Sequence, residues 1–331
     1  MKIGIVGLGF MGATHLDAFA KLPDAEVAAV CSGNPRALSG DLSQTGGNRA
    51  GSARIYDFSA VRKYTRWQEL IADAELEAVD ICLPTDLHAE VTIAALQAGK
   101  HVLVEKPMAL TLNDCERMMT AADQEKRILM VGQVLRFWPE YRYLQEFGKS
   151  NAYGAIRSVT FVRQGAAPDW SQWLLMDERS GGAVVDLLIH DVDQALLLCG
   201  MPERVAAKRL GNTDALTATL IYPGGPEVRI QGGWFAQGTP FSMTFQTRAE
   251  HAELELTQAG LTLSDAAGQR MTMTPEGSDA YEEQVRYFVH CCKNGEQPKL
   301  CMPRESAQAV KVALLLKQSR EMGGEQIQCL D

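Results

Sequence analysis

A glycine-rich loop directly after the first apolar run is the feature that most constrains the fold. The run Ile3–Val6 is typical of a buried strand, the segment Gly7-Leu8-Gly9-Phe10-Met11-Gly12 follows it, and Ala13–Lys21 has a helical pattern. Glycines at this spacing form a tight turn, let a pyrophosphate approach the backbone and let the helix pack on the strand. The pattern therefore predicts a dinucleotide site. Its cofactor-binding residues in this loop are Gly7, Gly9, Phe10, Met11 and Gly12.

The first 132 residues alternate between short β-branched runs and helical patterns. The predicted strands are Ile3–Val6, Val27–Cys31, Ala78–Leu83, His101–Val104 and Ile128–Val131, and the clearest later helices are Ala89–Ala98 and Asn113–Glu125. This alternation is typical of a parallel sheet with both faces covered. The stretch Ser39–Ser59, rich in Gly, Ser, Asn and Asp, interrupts the alternation. We expect a loop insertion there, or a helix followed by a loop.

After about residue 133, apolar and polar side chains alternate between Gly/Pro turns. The predicted strands are Ile156–Arg163, Val205–Arg209, Leu216–Tyr222, Glu227–Trp234, Met243–Arg248 and Ala252–Thr257, with helices at Val184–Leu198, Tyr281–Lys293 and Ser306–Met322. This predicts an antiparallel sheet with helices on one face. The predicted fold class is α/β. An N-terminal Rossmann domain would cover residues 1–132, and a C-terminal α/β domain with an open, mostly antiparallel sheet would cover 133–331, for substrate binding and oligomerisation.

The end of the second predicted strand bears on the choice between NAD and NADP. An acidic residue that binds the ribose 2′-hydroxyl is expected there, about 20 residues after the loop. Ser32 occupies the position, Arg36 follows it, and residues 27–40 contain no Asp or Glu. Because a hydroxyl and a guanidinium suit a 2′-phosphate, NADP is favoured and NAD stays possible. Alternatively, Ser32 caps the next helix and Arg36 is a solvated residue at its start.

Two further loops follow strands of the same predicted sheet. Pro84 cannot continue a central ladder, so the predicted strand Ala78–Leu83 ends there and its backbone is free to line the cofactor cleft. His88 opens the next helix and either contacts the cofactor or caps that helix. Lys106, after the predicted strand His101–Val104, lies where the reactive ring of a dinucleotide would be. The predicted cofactor-binding residues of these loops are Leu83, Pro84, Thr85, His88, Glu105 and Lys106.

A group of polar residues follows the paired glycines at 181 and 182. Asp186 and His190 are four apart and Asp193 is three further on, so a continuous helix would place them on one face. A carboxylate one turn from a histidine can orient the ring for general-base catalysis. Alternatively, His190 is a satisfied core residue, or the group binds metal. Because a third or fourth ligand of suitable spacing is missing from the sequence, we expect no metal.

These motifs together resemble the Gfo/Idh/MocA family of NAD(P)-dependent sugar and polyol oxidoreductases, and the resemblance covers nearly the whole chain. It rests on the glycine loop, on Leu83-Pro84-Thr85, on Glu105-Lys106-Pro107 and on Asp186-x3-His190-x2-Asp193. It implies that Lys106, Asp186 and His190 are the catalytic residues and contact the substrate. The chain departs from the family at Thr85-Asp86, where Asn is frequent, and in the Ser39–Ser59 insertion.

The resemblance also implies a mechanism. His190 would take the proton of a substrate hydroxyl while Asp186 holds the imidazole, and Lys106 would stabilise negative charge on the same oxygen. Trp170 and Trp234 are predicted to stack on a sugar ring, with interface packing as the alternative.

Two arginines lie outside these motifs, and the sequence around them does not point to one specific role. Arg136 and Arg163 are expected in solvated salt bridges, with binding of a carboxylate or phosphate as the alternative.

Charge and cysteine usage exclude several classes of partner. A net charge of −9 argues against nucleic acid or an anionic membrane, and no apolar run reaches the ~20 residues of a membrane span. Eight cysteines without metal-ligand spacing, and a start without a leader-like segment, predict reduced thiols and a cytoplasmic location. The resemblance implies a homodimer or homotetramer. A non-catalytic dinucleotide-dependent regulator, an enzyme that recycles a tightly bound cofactor, and a reductase for a non-sugar carbonyl or imine are the alternatives.

Overall fold

Six parallel strands form the first sheet of the protein, whose computed structural model describes residues 1–47 and 54–329. The strands are β1 (Lys2–Val6), β2 (Glu26–Cys31), β3 (Arg62–Tyr64), β4 (Ala78–Ile81), β5 (His101–Glu105) and β6 (Leu129–Gly132). Their order is β3-β2-β1-β4-β5-β6, and every neighbouring pair is parallel. The chain changes direction across the sheet between β1 and β4. Ligands of open parallel sheets bind in the crevice outside the carboxyl ends of such strands.

Five helices connect these strands. They are α1 (Phe10–Phe19), α2 (Pro35–Leu38), α3 (Trp67–Ile71), α4 (His88–Gln97) and α5 (Leu112–Glu125). Strands β1 and β4 are almost wholly buried, because helices cover both faces of a parallel sheet. The five predicted strands and three predicted helices of this region are confirmed, with ends shifted by a few residues. The sequence pattern missed β3, a short polar strand, and α3.

Part of the predicted insertion Ser39–Ser59 is visible. Ser39 ends α2, and Asp41 forms an isolated antiparallel bridge with Ile55. The described residues 39–47 and 54–59 contain no helix, because α2 ends before them, so this part agrees with the predicted loop insertion. Residues 48–53 of the insertion lie outside the described residues.

A nine-stranded sheet forms the second part of the fold. Its elements, with the two last helices, are α6 (Pro139–Lys149), β7 (Ile156–Ala166), α7 (Asp177–Ser180), α8 (Gly182–Asp186), α9 (Ile189–Cys199), β8 (Arg204–Arg209), β9 (Asp214–Ile221), β10 (Glu227–Phe235), β11 (Ser242–Ala249), β12 (Ala252–Thr257), β13 (Gly260–Asp265), β14 (Arg270–Met273), α10 (Ala280–Asn294), α11 (Pro303–Glu321) and β15 (Ile327–Gln328). The strand order is β14-β13-β12-β11-β7-β10-β9-β8-β15. Only the central pair β7–β10 is parallel among its described neighbours. The predicted open, mostly antiparallel sheet is confirmed.

The predicted single helix Val184–Leu198 is wrong, because the chain forms two helices, α8 and α9, separated by Leu187 and Leu188. The Leu188 N–H donates to the Ala183 carbonyl at 2.9 Å, one residue further back than an α-helical bond. The break follows Asp186 and falls on two leucines, which are good helix formers, so propensity does not mark it in the sequence. Asp186 and His190 therefore lie on different helices, and their spacing does not place them on one helical face.

The described chain forms two compact units. The first contains residues within 1–134, 169–174 and 278–307, including α10, and the second contains 135–168, 175–277 and residues from 308 onward. The predicted boundary between 132 and 133 stays a prediction. Within 1–47 and 54–329, every helix is too short or too polar to cross a membrane. All eight cysteines are free thiols.

Candidate active site

The glycine loop leaves an open space in front of α1. Gly7 has φ +98°, and a Cβ there would lie 2.4 Å from the Cys82 carbonyl oxygen. A Cβ at Gly12 would lie 2.0 Å from the Gly7 carbonyl oxygen, so any side chain at either position displaces the backbone. A Cβ at exposed Gly9 would meet no described atom within 4 Å. Open space beside the first N–H groups of a helix fits the pyrophosphate of a dinucleotide.

The described flanks of the insertion pack near this loop. The Arg54 guanidinium carbon lies 5.4 Å from the centroid of the Phe10 ring. A Cβ at Gly46 would lie 2.3 Å from the Cβ of Trp170, whose side chain is partly exposed. Met11 is half-buried. Trp170 therefore belongs to the first unit, beside the insertion.

The end of β2 carries an ion pair that sequence reasoning missed. Ser32 Oγ accepts the Asn34 N–H at 3.1 Å, and Asn34 caps α2 by accepting the Arg36 N–H at 3.0 Å. Asn34, and not Ser32, is thus the cap. The exposed Arg36 guanidinium donates to Asp41 at 2.8 Å and to Ser43 Oγ at 3.2 Å. Asp41 lies one residue beyond the acid-free stretch, and the short helix brings it back to Arg36.

His88 connects the loops that follow β4 and β5. Its Nδ1 lies 2.8 Å from the Pro107 carbonyl oxygen and its Nε2 lies 2.9 Å from the Leu83 carbonyl oxygen. Burial lowers the pKa of His88. These contacts place the ring between the two loops, and its contact with a cofactor stays a prediction. Beside it, Thr85 is buried, while the half-buried residues are Leu83, Pro84 and Lys106.

Sequence reasoning also missed a buried polar cluster behind Lys106. His15 on α1 lies with Nδ1 2.8 Å from an Asp80 carboxylate oxygen and with Nε2 3.1 Å from Glu105 Oε1. The Lys106 N–H donates to Glu105 Oε2 at 3.2 Å. The sequence did contain a signal for this cluster. Asp80 is an acidic residue within an apolar parallel strand and must have a partner there. Glu105, predicted to bind the cofactor, faces His15 in this cluster.

One subset of that cluster has atoms of the kind that bind metals. Ligand atoms of His15, Asp80 and Cys82 lie within 4.8 Å of one another. Burial and the nearby Asp80 raise the pKa of the Cys82 thiol to about 12. Metals bind the thiolate and not the thiol, so this group favours hydrogen bonding. The expectation of no metal stays a prediction.

Asp186 and His190 differ from their neighbours in exposure. Within residues 181–195 they alone are half-buried, and every other residue is buried. His190 is therefore not fully buried, and its catalytic role stays a prediction. Asp193, in contrast, is buried.

The start of α8 is held by a neighbouring strand. Gly182 has φ +75°, and the next N–H, from Ala183, donates to Asp214 of β9 at 2.7 Å. A Cβ at Gly182 would lie 2.8 Å from the same carboxylate. Asp214 also accepts a hydrogen bond from Arg320 at 2.6 Å. The paired glycines thus let the backbone of this helix approach β9, which fixes the element that ends at Asp186.

A cleft of about 230 Å³ lies beside this helix start within the second unit. Its wall includes Trp234, with Asp177, Gly182 and Asp214. Trp234 is only 7% exposed.

Arg136 and Arg163 correct the expectation of solvated salt bridges. Both are buried, and each forms a bidentate ion pair with an aspartate of α9. Arg136 donates to Asp193 at 2.9 and 2.5 Å, and Arg163 pairs with Asp191. The acids around His190 therefore anchor its helix.

Comparison with known protein families matches both parts of the chain. Residues 1–133 match the model of the oxidoreductase family with an NAD-binding Rossmann fold, and residues 141–255 match the GFO/IDH/MocA C-terminal domain.

Characterised relatives match along most of their length. The myo-inositol 2-dehydrogenase of Thermotoga maritima is 26% identical, over 96% of this chain and 94% of the relative. The D-xylose 1-dehydrogenase (NADP(+)) 2 of Haloferax volcanii is 26% identical, over 98% of each. A levoglucosan dehydrogenase solved with NADH and L-sorbose has a TM-score of 0.84 at 19% identity, over 100% of this chain and 99% of that chain, so it shares the fold. The chain belongs to the GFO/IDH/MocA family of oxidoreductases with an NAD-binding Rossmann fold.

Proposed function

We propose that this protein is an NAD(P)-dependent dehydrogenase or reductase that acts on a CH–OH group of a sugar, an inositol-like polyol or a related hydroxyl or carbonyl compound. The observation that carries the proposal is the position of Lys106. It follows β5 at the carboxyl edge of the parallel sheet, two strands from the glycine loop of β1. The named activities of the relatives, on inositol and xylose, support the substrate class.

The proposed roles follow from the chemistry of three side chains. A bound NAD(P) supplies a nicotinamide ring that accepts or donates a hydride. His190 would take the proton from the substrate hydroxyl, and Asp186 would favour the protonated imidazole. Lys106 would donate a hydrogen bond to the same oxygen and stabilise its developing negative charge. In the reverse direction His190 would act as the acid.

Alanine variants test these roles. We expect Lys106→Ala to lower kcat by about 10²–10³-fold and His190→Ala by about 10²–10⁴-fold, with little change in dinucleotide affinity. Lys299→Ala and His251→Ala, which remove exposed residues of the same types, are the controls. The assay is absorbance at 340 nm with a panel of sugars and polyols. Near-wild-type turnover in both active-site variants overturns the assignment. Wild-type protein that binds dinucleotide but turns over no panel compound would favour a regulator or a recycling enzyme.

We further propose that NADP is the preferred cofactor. Ser32 and Arg36 both lie at the end of β2, where a 2′-phosphate would be bound, and the Arg36 guanidinium is partly exposed. Arg36 is held by Asp41, which a phosphate would have to displace or share. Titration of the wild-type protein with NADP⁺ and NAD⁺ tests the proposal. Equal or tighter binding of NAD⁺ would refute it.

We also propose a homodimer or homotetramer in the cytoplasm. The strands of the large sheet alternate between buried residues and residues of intermediate exposure, so one face is available for pairing. Free thiols support a reducing compartment. Light scattering at several protein concentrations measures the assembly state, and a monomer throughout would contradict this proposal.

A further inference from the structure

His15 lies between two carboxylates in a part of the sheet that excludes water. The exposed fractions of the His15 and Asp80 side chains are 0%, and that of Glu105 is 7%. A neutral imidazole carries one N–H, so it can donate to only one of these two acceptors. Burial disfavours the charged ring, but Asp80 and Cys82 together raise the pKa of His15 well above its ordinary value. A doubly protonated ring can donate to both acceptors, so His15 can join the two acidic side chains.

The surroundings are shaped for this arrangement. A Cβ at Gly132, at the end of β6, would lie 2.8 Å from Glu105 Oε1, so glycine leaves room for the carboxylate. From α10, the Gln284 amide nitrogen lies 3.4 Å from His15 Nε2, and the Tyr281 ring centroid lies 6.3 Å from that of His15. The thiol of Cys82 lies 3.5 Å from His15 Nδ1. These groups face the ring from β4, β5 and α10.

The contacts form a continuous path from the glycine loop to Lys106. His15 is on α1, whose first turn follows the loop, and Glu105 accepts the backbone N–H of Lys106. Without His15, the two buried acidic side chains would lose the group between them, and Glu105 would lose a contact that holds its position. A shift of about 1 Å in a reacting group can cost about 100-fold in rate.

We propose that His15 is a positioning residue, which bridges Asp80 and Glu105 and thereby fixes Lys106 relative to the helix of the dinucleotide loop. The proposal rests on the proposed catalytic role of Lys106. It assigns Glu105 a place behind the lysine and makes the glycine loop and the lysine parts of one rigid assembly.

Two variants of the full-length protein test the bridge. His15→Gln removes the charged ring, and Glu105→Gln removes the carboxylate with little change in volume. We expect each to lower kcat by about 100-fold, with KM and the dinucleotide dissociation constant within about threefold of wild type. His101→Gln is the control, because His101 lies at the opposite end of the same strand and accepts the Ile128 N–H. If His15→Gln does not fold, Asp80→Asn weakens the same bridge.

A spectroscopic measurement reports the lysine without turnover. Reductive ¹³C-methylation labels the lysines, and loss of one signal in Lys106→Arg assigns Lys106. We expect this signal to move in His15→Gln and Glu105→Gln, with and without dinucleotide, and to stay in His101→Gln. In a Lys106→Ala background, His15→Gln should lower kcat no further.

The outcomes separate the two proposals. An inactive Lys106→Ala together with fully active His15→Gln, or an unmoved Lys106 signal, overturns the positioning role alone. A loss of kcat that is additive with Lys106→Ala also overturns it, since His15 would then act elsewhere. Full activity of Lys106→Ala overturns the proposed function itself.

Discussion

Arg163 of β7 donates two parallel hydrogen bonds to Asp191 of α9, at 2.8 and 2.9 Å, and both side chains are almost completely buried. The Tyr141 hydroxyl lies 3.3 Å from the same guanidinium. Because the neighbouring acid Asp193 is paired in the same way with Arg136, α9 is fixed to its unit by two charged contacts. The helix that carries His190 is thus held on its unit by both pairs.

The Arg163–Asp191 pair should be costly to break from one side. We expect Arg163→Met or Asp191→Asn to lower the free energy of unfolding by about 3–5 kcal/mol, because each leaves an uncompensated buried charge. The double variant Arg163→Met/Asp191→Leu should recover most of the loss. Urea unfolding measures the loss in the single variants and the recovery in the double variant. The exposed pair Glu227–Arg229 provides the control, and Glu227→Gln should leave stability unchanged. Single variants as stable as wild type would contradict a buried pair.

The glycine loop offers a matched pair of variants. Gly9→Ala enters open space, so we expect normal thermal unfolding and a loss of dinucleotide affinity of at least about tenfold, through contact with the pyrophosphate. Gly12→Ala meets the Gly7 carbonyl oxygen and should lower stability by about 1–3 kcal/mol. Calorimetry and dinucleotide titration distinguish the two effects. Wild-type affinity in Gly9→Ala would show that the ligand does not occupy this space.

Asp41 should tune the choice between the two dinucleotides. Hydrogen bonds from Ser43, together with Arg36, lower the pKa of Asp41 to about 2, so it is ionised at neutral pH and competes with a phosphate for Arg36. We expect Asp41→Asn to increase NADP⁺ affinity several-fold and to leave NAD⁺ affinity nearly unchanged. Titration of both cofactors tests this, with Asp57→Asn in the same segment as control. An equal change in affinity for NADP⁺ and NAD⁺ would show that Asp41 does not act at a 2′-phosphate site.

The His15 cluster predicts a specific dependence of stability on pH. The folded pKa of His15 lies above the unfolded value of about 6.5, so its contribution is fully present below that pH. The contribution is lost as the pH rises through the folded pKa. The difference in unfolding free energy between wild type and His15→Gln should therefore shrink toward alkaline pH. Urea unfolding at several pH values gives this difference. A difference that grows with pH would mean that His15 is neutral in the folded protein.

The regular helices and strands could be predicted from the sequence because they depend on local patterns. Buried parallel strands such as Leu129–Gly132 are apolar on both faces, and a strand, three spaced glycines and a helix leave few alternatives. The edge strand Arg62–Tyr64 was missed because it is short and polar. The break at Leu187 was missed because Leu187 and Leu188 are good helix formers, so tertiary packing decides where the helix ends.

Contacts between distant segments were less predictable. Spacing does not reveal that Arg36 meets Asp41 around a short helix, or that α9 aspartates meet Arg136 and Arg163. The His15 cluster is intermediate, since Asp80 in an apolar strand signals that a partner exists but does not name it. The candidate catalytic residues were found through the family resemblance, and their catalytic roles stay a prediction.

Burial protects three of the free cysteines from thiol chemistry. Burial raises the pKa of Cys31, Cys115 and Cys199 to about 11, 12 and 11, so their thiolate fractions at neutral pH are very small. Thiolates, not thiols, react with alkylating reagents and peroxides. A cysteine engineered onto the surface would therefore outcompete these native thiols for maleimide. A fluorophore attached to it would report on one chosen position without prior removal of Cys31, Cys115 or Cys199.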